Sequence, residues 1–221
     1  MIPETYWGEV LSVGGVSKCK ANATPGEKIS DAEKLKESEP LNAEHHSLYR
    51  KVVGKLMWTS SERPDLQFSI KELARKSPSP TMQSWKQMER VLKYIKGTKS
   101  AVLRLQVDSE YVHDPNKITV NVITDSDWPV DKPTSGVTVQ IGGFIRSTSS
   151  KTQQTIALSS CESEFVGMSE GCQSGRYVVS VLEEILGDQV QVNLAAHTDS
   201  NSALKTANRR GPGKLKHVDR K

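Results

Sequence analysis

Lys117-Ile-Thr-Val-Asn-Val-Ile-Thr-Asp125 alternates apolar and polar residues and is rich in β-branched side chains, as a half-buried strand is. Working outward from it, Gly136-Val-Thr-Val-Gln-Ile141 and Gly143-Phe-Ile-Arg-Ser-Thr148 flank Gly142-Gly143, a hairpin signal. Ser159 or Ser160 is predicted to cap a long helix that runs to Leu186 and stops at Gly187. Phe165, Met168, Tyr177, Val181, Leu182 and Ile185 are expected to supply the buried side of that helix. Gln191-Val-Asn-Leu-Ala-Ala-His-Thr198 reads as a fourth strand, and Asn201 to Ala207 as a short helix. The order strand, strand, strand, helix, strand, helix predicts an α/β domain over residues 116–221.

Upstream of this domain the period changes. Leu48, Val52 and Leu56 recur at helical spacing, Pro64 suits the first turn of another helix, and Leu66, Ile70 and Leu73 share one face. Pro78 and Pro80 break the pattern. A third helix carries Trp85, Met88, Leu92 and Ile95 as an apolar stripe, with Lys86, Arg90, Lys93 and Lys96 on the rest of its surface. Residues 45–105 are thus expected to be a small basic helical segment. Residues 1–44 are expected to be a linker or extended segment, since 15–44 are rich in Gly, Ser, Asn, Pro and charge.

Charge is distributed unevenly along the chain. Its net value of +4 conceals thirteen Lys and Arg against four Asp and Glu between Leu48 and Arg104. A basic block beside a nearly neutral domain points to a polyanion partner, because Lys and Arg displace phosphate counterions. The alternative is a solvated helical surface. On the reading favoured here, Lys86, Arg90, Lys93 and Lys96 are free to meet nucleic acid. No run of eighteen apolar residues exists, so no spanning helix is expected, and Met1 to Gly14 lacks the features of a signal peptide. Cys19, Cys161 and Cys172 follow no metal or redox spacing, which suggests a reducing compartment. The expected location is therefore intracellular, cytoplasmic or nuclear, and not secreted.

Three acidic residues stand where this element order would bring them together. Asp125 ends the first strand, Glu164 lies in the first turns of the long helix, and Asp199 ends the fourth strand. Convergent carboxylates are the hard oxygen ligands that Mg²⁺ or Mn²⁺ requires. Two such ions can activate a water and stabilise the leaving oxygen in phosphodiester hydrolysis. A single acidic residue at a strand end is usually a cap or turn residue; the ordered triplet is what favours a site. Asp125 is preferred to Asp127 because it closes the alternating run, whereas Asp127 and Trp128 precede Pro129 and begin a turn.

Several stretches carry a family resemblance. Leu48-Tyr-Arg-Lys-Val-Val-Gly-Lys-Leu-Met-Trp58, Arg63-Pro-Asp65 and Arg90-Val-Leu-Lys-Tyr-Ile-Lys-Gly-Thr98 resemble the segment that joins polymerase to nuclease in copia-type retrotransposon polyproteins. Thr124-Asp-Ser-Asp-Trp128, Ser149-Ser-Lys-Thr-Gln153, Ala157-Leu-Ser-Ser-Cys-Glu-Ser-Glu-Phe165, Thr198-Asp-Ser-Asn-Ser-Ala203 and Lys216-His-Val-Asp219 resemble their ribonuclease H domain. The resemblance implies a ribonuclease H-like mixed sheet with flanking helices that cuts the RNA strand of RNA–DNA hybrids. It implies Asp125, Glu164 and Asp199 as catalytic metal ligands. It also favours Glu164 over Glu162, because the family pattern places its ligand directly before an aromatic, here Phe165.

Departures from the family pattern shape the remaining expectations. The loop from Trp128 to Thr134 is short. The family's fourth acidic ligand follows a fifth strand, and Asp219 comes too early to match it, so Asp219 is expected to be a cap or surface residue. His217 is expected to open a helix rather than shuttle protons, and His197 to be structural. The domain is therefore expected to be incomplete at its C-terminus, and residues 1–221 alone to cleave poorly. A catalytically impaired nucleic-acid-binding remnant of the polyprotein is the rival reading. No Asp-Asp pair occurs in residues 1–47, so DNA synthesis is not expected.

Overall fold

A computed structural model describes residues 2–27, 39–103, 116–128 and 132–210. Asp219, His217 and Pro129 lie outside the described residues. The chain divides into two compact units, Met1–Leu103 and Arg104–Lys221.

The first unit is helical: α1 (Glu4–Val13), α2 (Ala43–Thr59), a 3₁₀ turn (Pro64–Leu66), α3 (Gln67–Lys76) and α4 (Met82–Gly97). Each helix contributes one apolar stripe to a common core, with Val52 and Leu56 from α2, Ile70 and Leu73 from α3, and Met88, Leu92 and Ile95 from α4. Asn42 caps α2 by accepting the His45 N–H, and Thr81 with Ser84 forms a capping box on α4, so both helices start at side chains that satisfy otherwise orphaned amides. The expected linker over residues 1–44 is corrected at α1. Trp7, Val10 and Leu11, at i, i+3 and i+4, are almost completely buried in the same core. The Tyr6 O–H donates to the Lys55 carbonyl at 2.9 Å and Lys55 pairs with Glu9 at 2.8 Å, which docks α1 on α2. The polar stretch after Gly14 masked this single short amphipathic helix.

Arg63 ties the unit together and is only 4% exposed. Its guanidinium donates to both Asp65 carboxylate oxygens (2.9 and 2.7 Å) and to the carbonyl and hydroxyl of Thr98, and it stacks over the Trp7 ring. Burial by itself would raise the Asp65 carboxyl. The Arg63 hydrogen bonds and charge, helped by the Tyr94 O–H, outweigh it and hold that carboxyl below the usual range.

The second unit is mixed α/β: β1 (Lys117–Ser126), β2 (Thr134–Ile141), β3 (Phe144–Thr152), α5 (Ser160–Leu186), a 3₁₀ turn (Gly187–Gln189), β4 (Gln191–Thr198) and α6 (Asn201–Asn208). The sheet order is β3-β2-β1-β4. β1 and β2 are antiparallel, as are β2 and β3, whereas β4 lies parallel to β1. Gly142 and Gly143 both take positive φ (52° and 84°), as a tight two-residue hairpin turn demands. α5 is the crossover that a parallel β1–β4 pair requires.

α5 meets the sheet through glycines rather than through all the large residues expected there. A Cβ on Gly167 would lie 2.3 Å from Ser126 Oγ, one on Gly171 2.5 Å from Thr124 Cγ2, and one on Gly175 2.4 Å from Val122 Cγ2. This i, i+4, i+8 row lets the helix axis settle directly over β1. Phe165 and Met168 are buried and Leu182 packs against the sheet core, but Tyr177, Val181 and Ile185 face outward, with Tyr177 71% exposed and Ile185 72% exposed. The expectation that all six would be buried is therefore corrected. Val178, Val179 and Leu182 continue the buried side beyond Gly175.

Candidate functional site

Strand direction determines where the carboxylates meet. In the parallel β1–β4 register Thr124 pairs with Thr198, so the next residues, Asp125 and Asp199, emerge at the same end of the sheet. β3 runs parallel to β1 through its antiparallel pairing with β2 and delivers the chain to that same end, where Ser159 caps α5 by accepting the Glu162 N–H. The second turn of α5 then presents Glu164. Asp125, Glu164 and Asp199 each offer a carboxylate oxygen, and these atoms all lie within 4.8 Å of one another. Asp125 and Asp199 are exposed, while Glu164 is 7% exposed.

Among the described residues no cation is recorded pairing with this cluster. Glu164 Oε2 is buried and accepts no hydrogen bond from the described residues. Burial pushes the Glu164 carboxyl up from its usual value, and the charges of Asp125 and then Asp199 push the same way against a backbone hydrogen bond from Ser126. Three hard oxygen donors this close together could hold a divalent cation, whose charge would offset theirs.

The neighbouring acidic residues have other partners. Asp127 accepts the Thr134 N–H, and its own N–H donates to the Thr134 carbonyl, so it closes the β1–β2 connection. Glu162 accepts the Leu158 N–H at 2.8 Å and serves the start of α5. His197 Nε2 lies 3.0 Å from Asn121 Oδ1 on the neighbouring strand.

A residue without an assigned role stands behind the site. Gln153, 1% exposed, directs its carboxamide N–H₂ at Ser163 O (2.8 Å), Ser135 Oγ (3.0 Å) and Ser126 Oγ (3.4 Å). Its sequence signal was membership of Ser149-Ser-Lys-Thr-Gln153, a motif with no obvious chemistry of its own.

The basic residues of α4 differ in their surroundings. Lys86 is exposed, but the other three bind the chain itself. Arg90 donates to Gly26 O, Glu27 Oε2 and Thr24 Oγ1 at 3.0–3.1 Å. Lys93 pairs with Glu89 at 3.3 Å, and Lys96 donates to the carbonyls of Ser17 and Cys19, both at 2.7 Å. Arg90 and Lys96 thus fasten residues 17–27 to α4, whereas Lys93 pairs within the helix. Exposed cations on α2 include Arg50 and Lys51, beside the shallow depression they line with His46 and Ser47. Met57, Trp58 and Phe68 are exposed on the same unit.

The geometry thus defines a protein with an α/β unit bearing a convergent carboxylate cluster and a separate helical unit. Among known sequences, the chain is 30% identical over 169 residues to an uncharacterized mitochondrial protein of Arabidopsis thaliana, covering 72% of this chain and 64% of that protein. It is 28% identical over 175 residues to the Retrovirus-related Pol polyprotein from transposon RE2 of Arabidopsis thaliana, covering 77% of this chain and 12% of the polyprotein. A third relative, named Secreted RxLR effector protein 161, from Plasmopara viticola, is 32% identical over 130 residues, covering 57% of this chain and 87% of its own length. The chain belongs to the copia-type retrotransposon polyprotein family. It spans less than two thirds of the length of the first two relatives and only a small part of the polyprotein. No protein-family model and no solved structure matches it. Among the described residues no helix is long and apolar enough to cross a membrane.

Proposed function

We infer that the α/β unit is a ribonuclease H-like domain that hydrolyses the RNA strand of RNA–DNA hybrids, with Mg²⁺ or Mn²⁺ held by Asp125, Glu164 and Asp199. The observation that carries this reading is the convergence of the three carboxylates, from two strand ends and a helix, to within 4.8 Å. When bound, divalent ions lower the pKa of a water and offset charge on the leaving oxygen. The protein's part is to position. β1 and β4 hold two carboxylates on rigid strand ends, and α5 fixes the third against β1 through its glycine row. Burial and the neighbouring carboxylates raise the Glu164 carboxyl, so cation binding and its ionisation would reinforce each other. Selection of RNA over DNA would use the sugar 2′-hydroxyl and the shape of the hybrid groove.

A fluorescent hybrid substrate with and without Mg²⁺ or Mn²⁺ tests the activity, alongside calorimetric titration of the metal into wild type and Asp125→Asn. Metal-dependent cleavage and a metal-induced rise in melting temperature are expected in wild type, and loss of both in the variant. Equal metal response in the two proteins would remove Asp125 from the site.

A second reading, nucleic-acid binding without cleavage, is favoured by the helical unit. Arg50 and Lys51 are exposed on α2, and Trp58 and Phe68 leave aromatic surface exposed on the same unit. Cations with accessible aromatic rings suit a sugar–phosphate backbone and its bases. Salt-sensitive hybrid binding that survives Asp125→Asn while no cleavage occurs in wild type supports this reading over the first.

A further inference from the structure

We propose that Gln153 is a positioning residue for the carboxylate site, its carboxamide tying the strand end that bears Asp125 to the helix turn that bears Glu164. The proposal rests on the metal-binding reading of that cluster and adds to it a residue that touches none of the three carboxylates.

Gln153 follows β3 directly, and its own backbone N–H donates to Pro133 O at 2.7 Å, so its Cα is held beside the start of β2. From there the side chain reaches three elements. The 2.8 Å bond to Ser163 O engages the peptide that leads into Glu164. The bonds to Ser135 Oγ and Ser126 Oγ engage a register pair, Ser126 being the residue after Asp125. One carboxamide therefore spans the backbone neighbours of two of the three carboxylates. Ser163 O can only accept, which requires the amide nitrogen to face it and fixes the orientation of the group. The orientation has a cost: Gln153 Oε1 is buried without a hydrogen-bond partner among the described residues. A core residue chosen for packing alone would be apolar here, since an unsatisfied buried carbonyl is unfavourable. The two N–H groups, shared among these three acceptors, retain the amide, and the common product is a fixed spacing between the β1 end and the α5 start. Groups that orient metal ligands from behind tune affinity strongly even though they never touch the ion.

The test uses the full chain and Mn²⁺ alone, with bound metal read from the electron paramagnetic resonance signal of free Mn²⁺. Gln153→Met keeps the volume and removes every donor. Val139→Ala, buried in the same sheet five residues along β2 from Thr134, is the control for general loss of stability. Gln153→Met is expected to weaken Mn²⁺ binding about tenfold, and Val139→Ala to lower the melting temperature with little change in affinity. Ser135→Ala removes one acceptor and is expected to weaken binding in the same direction by less. Wild-type affinity in Gln153→Met overturns the proposal, as does an unfolded Gln153→Met beside a Ser135→Ala protein of wild-type affinity. If wild type itself binds no Mn²⁺, the metal reading of the cluster fails first. If wild type binds, Asp125→Asn does not and Gln153→Met does, only the role of Gln153 fails.

Discussion

Replacing Gly171 with alanine tests whether the glycine row of α5 sets the helix-to-sheet distance. In an open helical position the change stabilises, because alanine is better by up to about 1 kcal/mol in helix propensity. At Gly171 the added methyl would sit 2.5 Å from Thr124 Cγ2 and 2.8 Å from Val122 Cγ1, both well inside van der Waals contact. Thr124 and Val122 are β-branched strand residues with stiff χ1, so neither can swing aside. The helix or the strand must move instead. Overpacking of this kind typically costs about 1–3 kcal/mol. Two contacts this short put the cost in the upper part of that range, so after the propensity gain the net loss is about 1–2 kcal/mol, a melting-temperature fall of roughly 4–16 °C for a unit of about a hundred residues. Gly54 on α2 is the matched comparison, because nothing lies within 4 Å of its added Cβ and Gly54→Ala should stabilise the helical unit. Differential scanning calorimetry of both variants reads the two signs. A Gly171→Ala protein as stable as wild type would show that α5 does not rest on β1 through this row.

Acid should unfold the helical unit in part through Asp65. Its folded carboxyl lies below the usual range, so its contribution is complete above the unfolded carboxylate value near pH 4 and is lost as pH falls through the lower folded value. Denaturant titrations between about pH 2 and 5 should show a shallower acid loss in Asp65→Asn; an unchanged slope would place the acid sensitivity elsewhere. For nucleic acid, Arg50→Ala with Lys51→Ala should flatten the salt slope of hybrid binding by up to about two units, whereas Arg90→Ala should leave it unchanged. Arg90→Ala should instead hasten proteolysis around residues 24–27, whose hydrogen bonds to Arg90 it removes. A flattened slope in Arg90→Ala alone would return the binding face to α4.

Much of the second unit was legible because its elements follow local rules. The alternation of Lys117–Asp125, the Gly142-Gly143 turn, the Ser159 cap and the Gly187 stop are short-range signals, and the observed elements begin and end near them. α1 was hidden because ten residues hold too few apolar positions to stand out from the polar chain that follows. Large apolar residues also misled in α5, where Tyr177, Val181 and Ile185 looked like core and are exposed. A helix lying this close over a strand leaves room for hydrogen atoms, not side chains, and close approach depends on the partner strand rather than on α5 itself.

Charged residues divide along the same line. Period and caps alone put Asp125 and Asp199 at strand ends and Glu164 in the first turns of a helix, because backbone geometry fixes those positions locally. That their oxygens converge follows from the parallel β1–β4 pairing and the α5 crossover, which join residues far apart in the chain. Likewise, the sequence alone identifies Arg90, Lys93 and Lys96 as cations on the polar side of a helix. Whether such a cation meets solvent or its own chain depends on what folds back over it, and here residues 17–27 and Glu89 take their hydrogen bonds. Gln153 is the limiting case: one polar residue in a Ser-rich stretch by sequence, and a link between three elements only once β1, β2 and α5 have packed around it.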